Sequence, residues 1–169
     1  MENLYTTDCI RTFKGIYMNV FEPTLEMIDI EDIAHALSNL CRFGGHLPEF
    51  YSVAQHSVLC SDIITTRNKL AALMHDASEA YLIDVPRPIK HRLTNYKEIE
   101  DKLMILIAQK FGFLYPLHHT VKYMDEQMLK AEWNQLMLGK KIVDNFKCWS
   151  PGYAKERFLE RFNEFKNTP

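Results

Sequence analysis

The sequence has little of what would tie a chain to a membrane, a disulfide scaffold or a nucleic-acid backbone. No apolar run approaches the roughly 18 residues of a membrane span; the longest, Leu103 to Ala108, suits a helix interior. The stretch MENLYTTDCIRTFKG lacks the apolar core of about 7–15 residues that marks a secretory signal. The cysteines, Cys9, Cys41, Cys60 and Cys148, show no C-x-x-C spacing, and a chain of 169 residues does not need disulfides to hold a core. They are expected to be reduced thiols of a cytoplasmic protein. Nor is there a basic excess: 20 Lys and Arg stand against 22 Asp and Glu, which disfavours long DNA or RNA as a partner. A small anion held by a local cluster of basic groups remains compatible with that balance. No repeat or low-complexity linker divides the chain, so residues 1–169 are expected to form a single domain with one core.

What is present is helical periodicity. Residues 11–21, RTFKGIYMNVF, alternate around Gly15 and predict a short N-terminal hairpin or extended arm ended by Pro23. Beyond it, apolar spacing predicts helices over 30–42, 53–66, 69–82, 95–111, from Pro116 to about 139, and 152–166. Asp29, Ser52 and Asn68 stand where N-caps belong, and Gly112 where a helix would close in the left-handed conformation. FGGHLPEFY, residues 43–51, reads as a loop, and IDVPRPIK, residues 83–90, as a proline-stiffened connection. The expected fold is therefore all-α, a bundle of about six helices.

Several polar residues sit on or beside the apolar stripes of these helices. His75 and Asp76 flank the stripe Leu70, Leu73, Met74, Ala77 and Tyr81, with Glu79 on their side of the helix. His56 shares a face with Val53, Ser57 and Cys60, and Asp125 falls within the stripe Val121, Met124, Met128 and Leu129. Each has a plain structural reading: a hydrogen-bonded His-Asp pair at a helix surface, a satisfied core histidine, a carboxylate at a stripe boundary. Together they supply two imidazoles and two carboxylates from three helices. A buried carboxylate needs a cation or donors, and a mixed nitrogen and oxygen set suits a divalent transition metal such as Mn, Co, Ni, Fe or Zn. Such an ion polarises a phosphoryl oxygen and lowers the pKa of a water.

The pattern H…HD…D, as His56, His75-Asp76 and Asp125, resembles the HD superfamily of metal-dependent phosphohydrolases. The likeness extends through HDASEAYLIDVPRPIK, residues 75–90, which is similar to the segment of bacterial 5′-deoxynucleotidases reading HD-x-x-E, then D-x-P-x-P-x-K. IEDIAHALSNLCRFGGH and FYSVAQHSV resemble the compact phage and prophage branch, which includes enzymes converting dATP to deoxyadenosine and triphosphate. The resemblance implies that His56, His75, Asp76 and Asp125 hold one divalent metal ion. It implies that Glu79 orients a water or passes a proton to the leaving oxygen, and that Asp84 contacts the attacking water or the sugar. Arg42 matches the family's phosphate-contacting Arg, and Phe43 stands where the monophosphatases have a Trp against the sugar.

Lys90 holds the motif's lysine position, and His46, after Gly44 and Gly45, is placed to meet phosphate. Each has an ordinary surface role as its alternative. Tyr17, Met18 and Phe21 are candidates for a base pocket. The implied activity is hydrolysis of deoxynucleoside 5′-phosphates, first as a nucleotidase releasing orthophosphate. A triphosphohydrolase releasing triphosphate from a dNTP, or a non-catalytic nucleotide sensor on the same scaffold, is the alternative. The expected partners are a small nucleotide and, because relatives self-associate, a second copy of the chain.

Overall fold

A computed structural model describes residues 8–64 and 67–167. Two short strands, β1 (Cys9–Arg11) and β2 (Tyr17–Asn19), pair antiparallel with Ile10 opposite Met18. This is the expected hairpin, and Gly15 at φ +83° makes its turn, where a left-handed backbone is required. Met18 points inward and is fully buried, whereas Tyr17 and Phe21 are about half exposed.

The rest is helical: α1 (Ile30–Asn39), α2 (Val53–Ile63), α3 (Lys69–Leu73), α4 (Glu79–Leu82), α5 (Arg87–Lys90), α6 (Tyr96–Phe111), α7 (His119–Glu132) and α8 (Pro151–Lys166). Asp29 caps α1 by accepting from the Glu31 N–H, and Ser52 caps α2 by accepting from the Gln55 N–H. Asn68 makes no cap; its amide donates to Thr120 Oγ1 instead. Gly112 closes α6 at φ +79°, as its position predicts.

Four expected boundaries move, each because another interaction takes the backbone. The helix predicted over 30–42 ends at Asn39, since Leu40 turns extended and its carbonyl accepts from the Val53 N–H. With the Arg42 N–H donating to the Tyr51 carbonyl, that pairing staples the base of the loop between them. The helix predicted over 69–82 divides into α3 and α4 around a tight turn at 74–78. There the Ala72 carbonyl, which a continuous helix would give to the Asp76 N–H, accepts from His75 Nδ1 at 2.7 Å. The connection 83–90 contains one helical turn, α5. The helix predicted from Pro116 starts at His119, with His118 accepting from the Thr120 N–H, and α7 runs on through a π-helical turn, Trp133–Met137. The end of the helix predicted over 53–66 lies partly outside the described residues.

Helix α2 is the hub. It is buried on nearly all sides, through Val53, Ala54, Gln55, His56, Ser57, Val58, Cys60 and Ser61, as befits a helix enclosed by others. It packs on α1, α3, α7 and α8. The aromatic stripe of α8 serves this packing: Ala154, Phe158 and Phe162 are buried in the main core, and Phe162 meets Phe111 edge-on at 5.2 Å. Among the described residues no helix is long and apolar enough to cross a membrane.

Because Phe158 is fully buried, Phe158→Ala should cost about 3–5 kcal/mol of unfolding free energy. Urea denaturation of the variant tests this; an unchanged midpoint would mean that α8 does not close the core.

Candidate metal centre and cleft

Two local features bring His56, His75, Asp76 and Asp125 together. His56 projects from the buried hub helix and Asp125 from the neighbouring α7. The turn at 74–78 frees His75 and Asp76 from helical spacing, under which adjacent side chains diverge. His56 Nε2 stands 3.2 Å from His75 Nε2, 3.1 Å from Asp125 Oδ1 and 3.8 Å from Asp76 Oδ2. His75 Nε2 stands 3.2 Å from Asp76 Oδ2 and 3.7 Å from Asp125 Oδ1. Two donors about 2.1 Å from a common ion are about 3.0 Å apart at octahedral right angles and about 3.4 Å apart at tetrahedral angles. Three of these five distances match that spacing, and those from His56 to Asp76 and from His75 to Asp125 exceed it by a few tenths of an ångström.

The far side of each ring is occupied. His56 Nδ1 faces Glu132 Oε1 at 2.6 Å, and His75 Nδ1 faces the Ala72 carbonyl at 2.7 Å. Both acceptors require a proton on Nδ1, because burial favours neutral Glu132 but the His56 and Arg42 charges hold its carboxyl below the usual range. A neutral ring protonated at Nδ1 presents a lone pair at Nε2, so both rings aim at the same point.

The surroundings favour positive charge there. Burial opposes a charged ring at His75, yet Asp76 and Asp125 carry its basicity well above the ordinary histidine value. Burial and Arg42 oppose it at His56, but Cys60, Glu132 and Asp125 prevail. Burial would raise Asp76, but His75 and then His56 bring it down to about 2; Asp125 is likewise held far below the carboxylate range by hydrogen bonds to both rings. Without a metal, the two basic rings and Arg42 offset the three carboxylates Asp76, Asp125 and Glu132; a divalent cation would take the place of the two ring protons.

His56, Cys60, His75 and Asp125 also form a group able to hold a metal ion. The Cys60 sulfur is 3.5 Å from His56 Nε2 and 3.9 Å from Nδ1. Nearly equal distances put it beside the ring rather than ahead of the Nε2 lone pair. An ion on that lone-pair axis would leave the sulfur well beyond the ~2.3 Å of a metal–thiolate bond. Asp76 is thus the better fourth donor.

The other expected site residues divide by position. Glu79 is 6 % exposed, its Oε2 is buried without a hydrogen-bond partner, and burial, then Asp76 and Asp84, push its carboxyl well above the usual range. Asp84 is half-buried, and burial raises it against the pull of Arg42. It follows Ile83, a β-branched residue held at φ +69°, a conformation that costs of order 1–3 kcal/mol. Arg42 reaches the cluster, with Nη2 donating to Glu132 Oε2 at 3.0 Å and Nη1 3.6 Å from Asp76 Oδ2. Phe43, at φ +56°, tilts against Trp133 at 6.1 Å. Lys90 pairs with Glu100 at 2.5 Å. His46 is exposed on the loop and, among the described residues, makes no hydrogen bond to the cluster.

Sequence reading missed Glu132. Its signal was its place seven residues, two helical turns, after Asp125 on one face of α7. Also missed was the outer wall of the cleft. His75, Asp76 and Asp125 open into a space of about 480 Å³ bounded by Met104, Ile105, Tyr115, Leu117 and Lys122, within the size range of small-molecule sites. The imidazoles are sealed, at 0 % and 5 % side-chain exposure, whereas Asp76 and Asp125 are 21 % and 28 % exposed.

No known family model matches the chain. It is 41 % identical to the uncharacterized protein YfdR of Escherichia coli over 167 residues, 92 % of this chain and 94 % of that protein. It is 32 % identical to an uncharacterized protein of Rhodobacter capsulatus over 140 residues, 75 % of this chain and 71 % of the other.

Glu79 also makes a stability prediction. Its folded pKa lies above its unfolded one, so the native state keeps a proton that the unfolded chain releases. Glu79 therefore subtracts stability as pH rises from the ordinary glutamate value towards its own. In chelator-treated protein, Glu79→Gln should flatten that decline in thermal midpoint, and parallel pH profiles for variant and parent would contradict it.

Proposed function

The chain belongs to the family of the Escherichia coli protein YfdR, and from that premise we propose that it is an HD-type, metal-dependent phosphohydrolase releasing orthophosphate from deoxynucleoside 5′-monophosphates. The observation that carries the reading is the convergence of His75 Nε2 and two carboxylate oxygens to within 3.1–3.8 Å of His56 Nε2, beside an open cleft. His56, His75, Asp76 and Asp125 would hold one divalent transition-metal ion. When bound there, it supplies a Lewis acid for a phosphoryl oxygen and lowers the pKa of a water.

The chain's own groups account for the remainder. Asp76 and Asp125 are the exposed members of the set, so phosphate enters from the cleft, past their side. Glu79, kept protonated by burial, is the proton donor to the departing O5′ as the P–O bond breaks. Asp84 orients the incoming water, held near Glu79 and Arg42 by the strained turn at Ile83. The apolar wall of Met104, Ile105 and Leu117 excludes water around sugar and base. Lys90 is paired with Glu100 and Lys97 with Asp101, and Arg42 is committed to Glu132. Of the cleft's lysines Lys122 remains for a triphosphate tail, a small allowance that favours a monophosphate.

Incubation with Mn²⁺ or Co²⁺ and a panel of dNMPs and dNTPs, with product separation, tests the reading. Orthophosphate from dNMPs is expected. Triphosphate from a dNTP would make the chain a triphosphohydrolase, and no product from either would leave a nucleotide sensor. His75→Ala and Asp125→Ala should lose both metal and nearly all turnover, by roughly a thousandfold or more.

Glu79→Gln should bind metal as the parent does but turn over about 10²–10⁴-fold more slowly. Loss of metal and of fold together in that variant would make Glu79 structural instead.

A further inference from the structure

We propose that Glu132 is the positioning residue of the ligand set, aiming His56 at the ion and holding Arg42 against Asp76. The inference rests on the metal-dependent reading above. Glu132 is 2 % exposed at the end of α7. Its Oε1 accepts from His56 Nδ1 at 2.6 Å and from the Tyr51 hydroxyl at 2.7 Å, and its Oε2 accepts from Arg42 Nη2 at 3.0 Å. One carboxylate thus ties α7, which carries ligand Asp125, to α2, which carries ligand His56, and to the loop stapled between residues 40 and 53.

Packing alone gives no reason for this arrangement. A buried ion pair is commonly no more stabilising than well-packed apolar residues of the same volume. What an apolar replacement could not supply is direction. The Nδ1 contact fixes the tautomer of His56 and the rotation of its ring, so that Nε2 keeps its lone pair on the shared point. The Arg42 contact adds a second effect. Arg42 Nη1 lies 3.6 Å from Asp76 Oδ2, so an unpaired guanidinium would compete with the cation for that ligand. Glu132 neutralises the guanidinium and keeps it on the sealed side of the cluster, away from the cleft.

Direction and charge together separate this role from a merely structural one. Breaking the buried pair from either side loosens the same packing, but the two breaks differ in sign at the ion. Glu132→Gln weakens the hold on His56 and leaves Arg42 uncompensated, so affinity falls. Arg42→Met removes a positive charge and leaves the His56 contact intact, so affinity does not fall.

The test is calorimetric titration of chelator-treated protein with Mn²⁺ alone, with thermal melting of each unloaded variant as the fold control. Glu132→Gln should bind Mn²⁺ about 10–100-fold more weakly than the parent, and Arg42→Met no more weakly than the parent. Equal weakening in both variants, or parental affinity in Glu132→Gln, overturns the inference. If Glu132→Gln fails to fold, Glu132→Gln/Arg42→Met, which buries no unpaired charge, is compared with Arg42→Met; the same 10–100-fold deficit is expected, and its absence overturns the inference. A parent protein that binds no Mn²⁺ refutes the metal-dependent reading itself and takes the inference with it. Binding by the parent without phosphate release would refute only the nucleotidase reading.

Discussion

Two imidazole nitrogens face each other at 3.2 Å inside a helical core, an arrangement that positive charge between or beside them relieves. Each ring has its other nitrogen engaged by an acceptor, so neither can turn away. The carboxylates that close the set would repel one another and the Glu132 carboxylate behind them. Without a metal, protons on the two rings offset these charges, and the polar cluster is anchored from several sides. The fold supplies the anchoring: a hub helix buried all round, a neighbouring helix that carries both Asp125 and Glu132, and a turn inserted where a continuous helix would have splayed His75 from Asp76.

Part of this protein's irregular backbone lies beside that cluster. The break at 74–78 is maintained by the His75 ring, which takes the carbonyl that the helix would have used. Phe43 and Ile83, both at positive φ, adjoin Arg42 and Asp84 respectively, and the π-helical turn begins immediately after Glu132. Non-glycine residues in such conformations persist where the surrounding structure over-determines them. Here the surroundings are the stapled loop at 40–53 and the one-turn helix α5 with its flanking prolines. Gly44 contributes for a different reason. A Cβ there would stand 3.6–3.7 Å from His46 and Pro86, so the loop after Arg42 and the segment after Asp84 run close together over the site.

Much of this was legible in the sequence, and the legible part has a common character. The all-α class, the hairpin, the caps at Asp29 and Ser52 and the closure at Gly112 depend on periodicity and local backbone chemistry, which neighbouring residues carry. The four candidate ligands stood out because titratable residues on apolar stripes demand an explanation, and the motif resemblance supplied a joint one. The errors arose where a distant partner overruled a local preference. Leu40 leaves α1 for Val53, and His75 breaks its own helix. Asn68 forgoes its cap for Thr120. Glu132 lay unnoticed because a glutamate on a polar helix is ordinary; only its two-turn spacing from Asp125 set it apart, and that spacing has meaning only once Asp125 is taken as a ligand.

The asymmetry of the cluster constrains how any substrate must meet it. On one flank His56 is sealed behind Glu132, Tyr51 and Arg42; on the other, His75, Asp76 and Asp125 line a cleft whose far wall includes residues of α6 and of 115–122. A phosphate can approach only past the two carboxylates, which would repel it in the absence of a cation. On the proposed reading, a divalent ion at the cluster would therefore be a precondition for binding an anionic substrate. Along the cleft, Lys90 and Lys97 are tethered to Glu100 and Asp101, and Lys122 is the further cation of the wall. A ligand with one phosphate and a largely apolar remainder satisfies both ends of such a space: charge at the floor, and Met104, Ile105, Tyr115 and Leu117 above it.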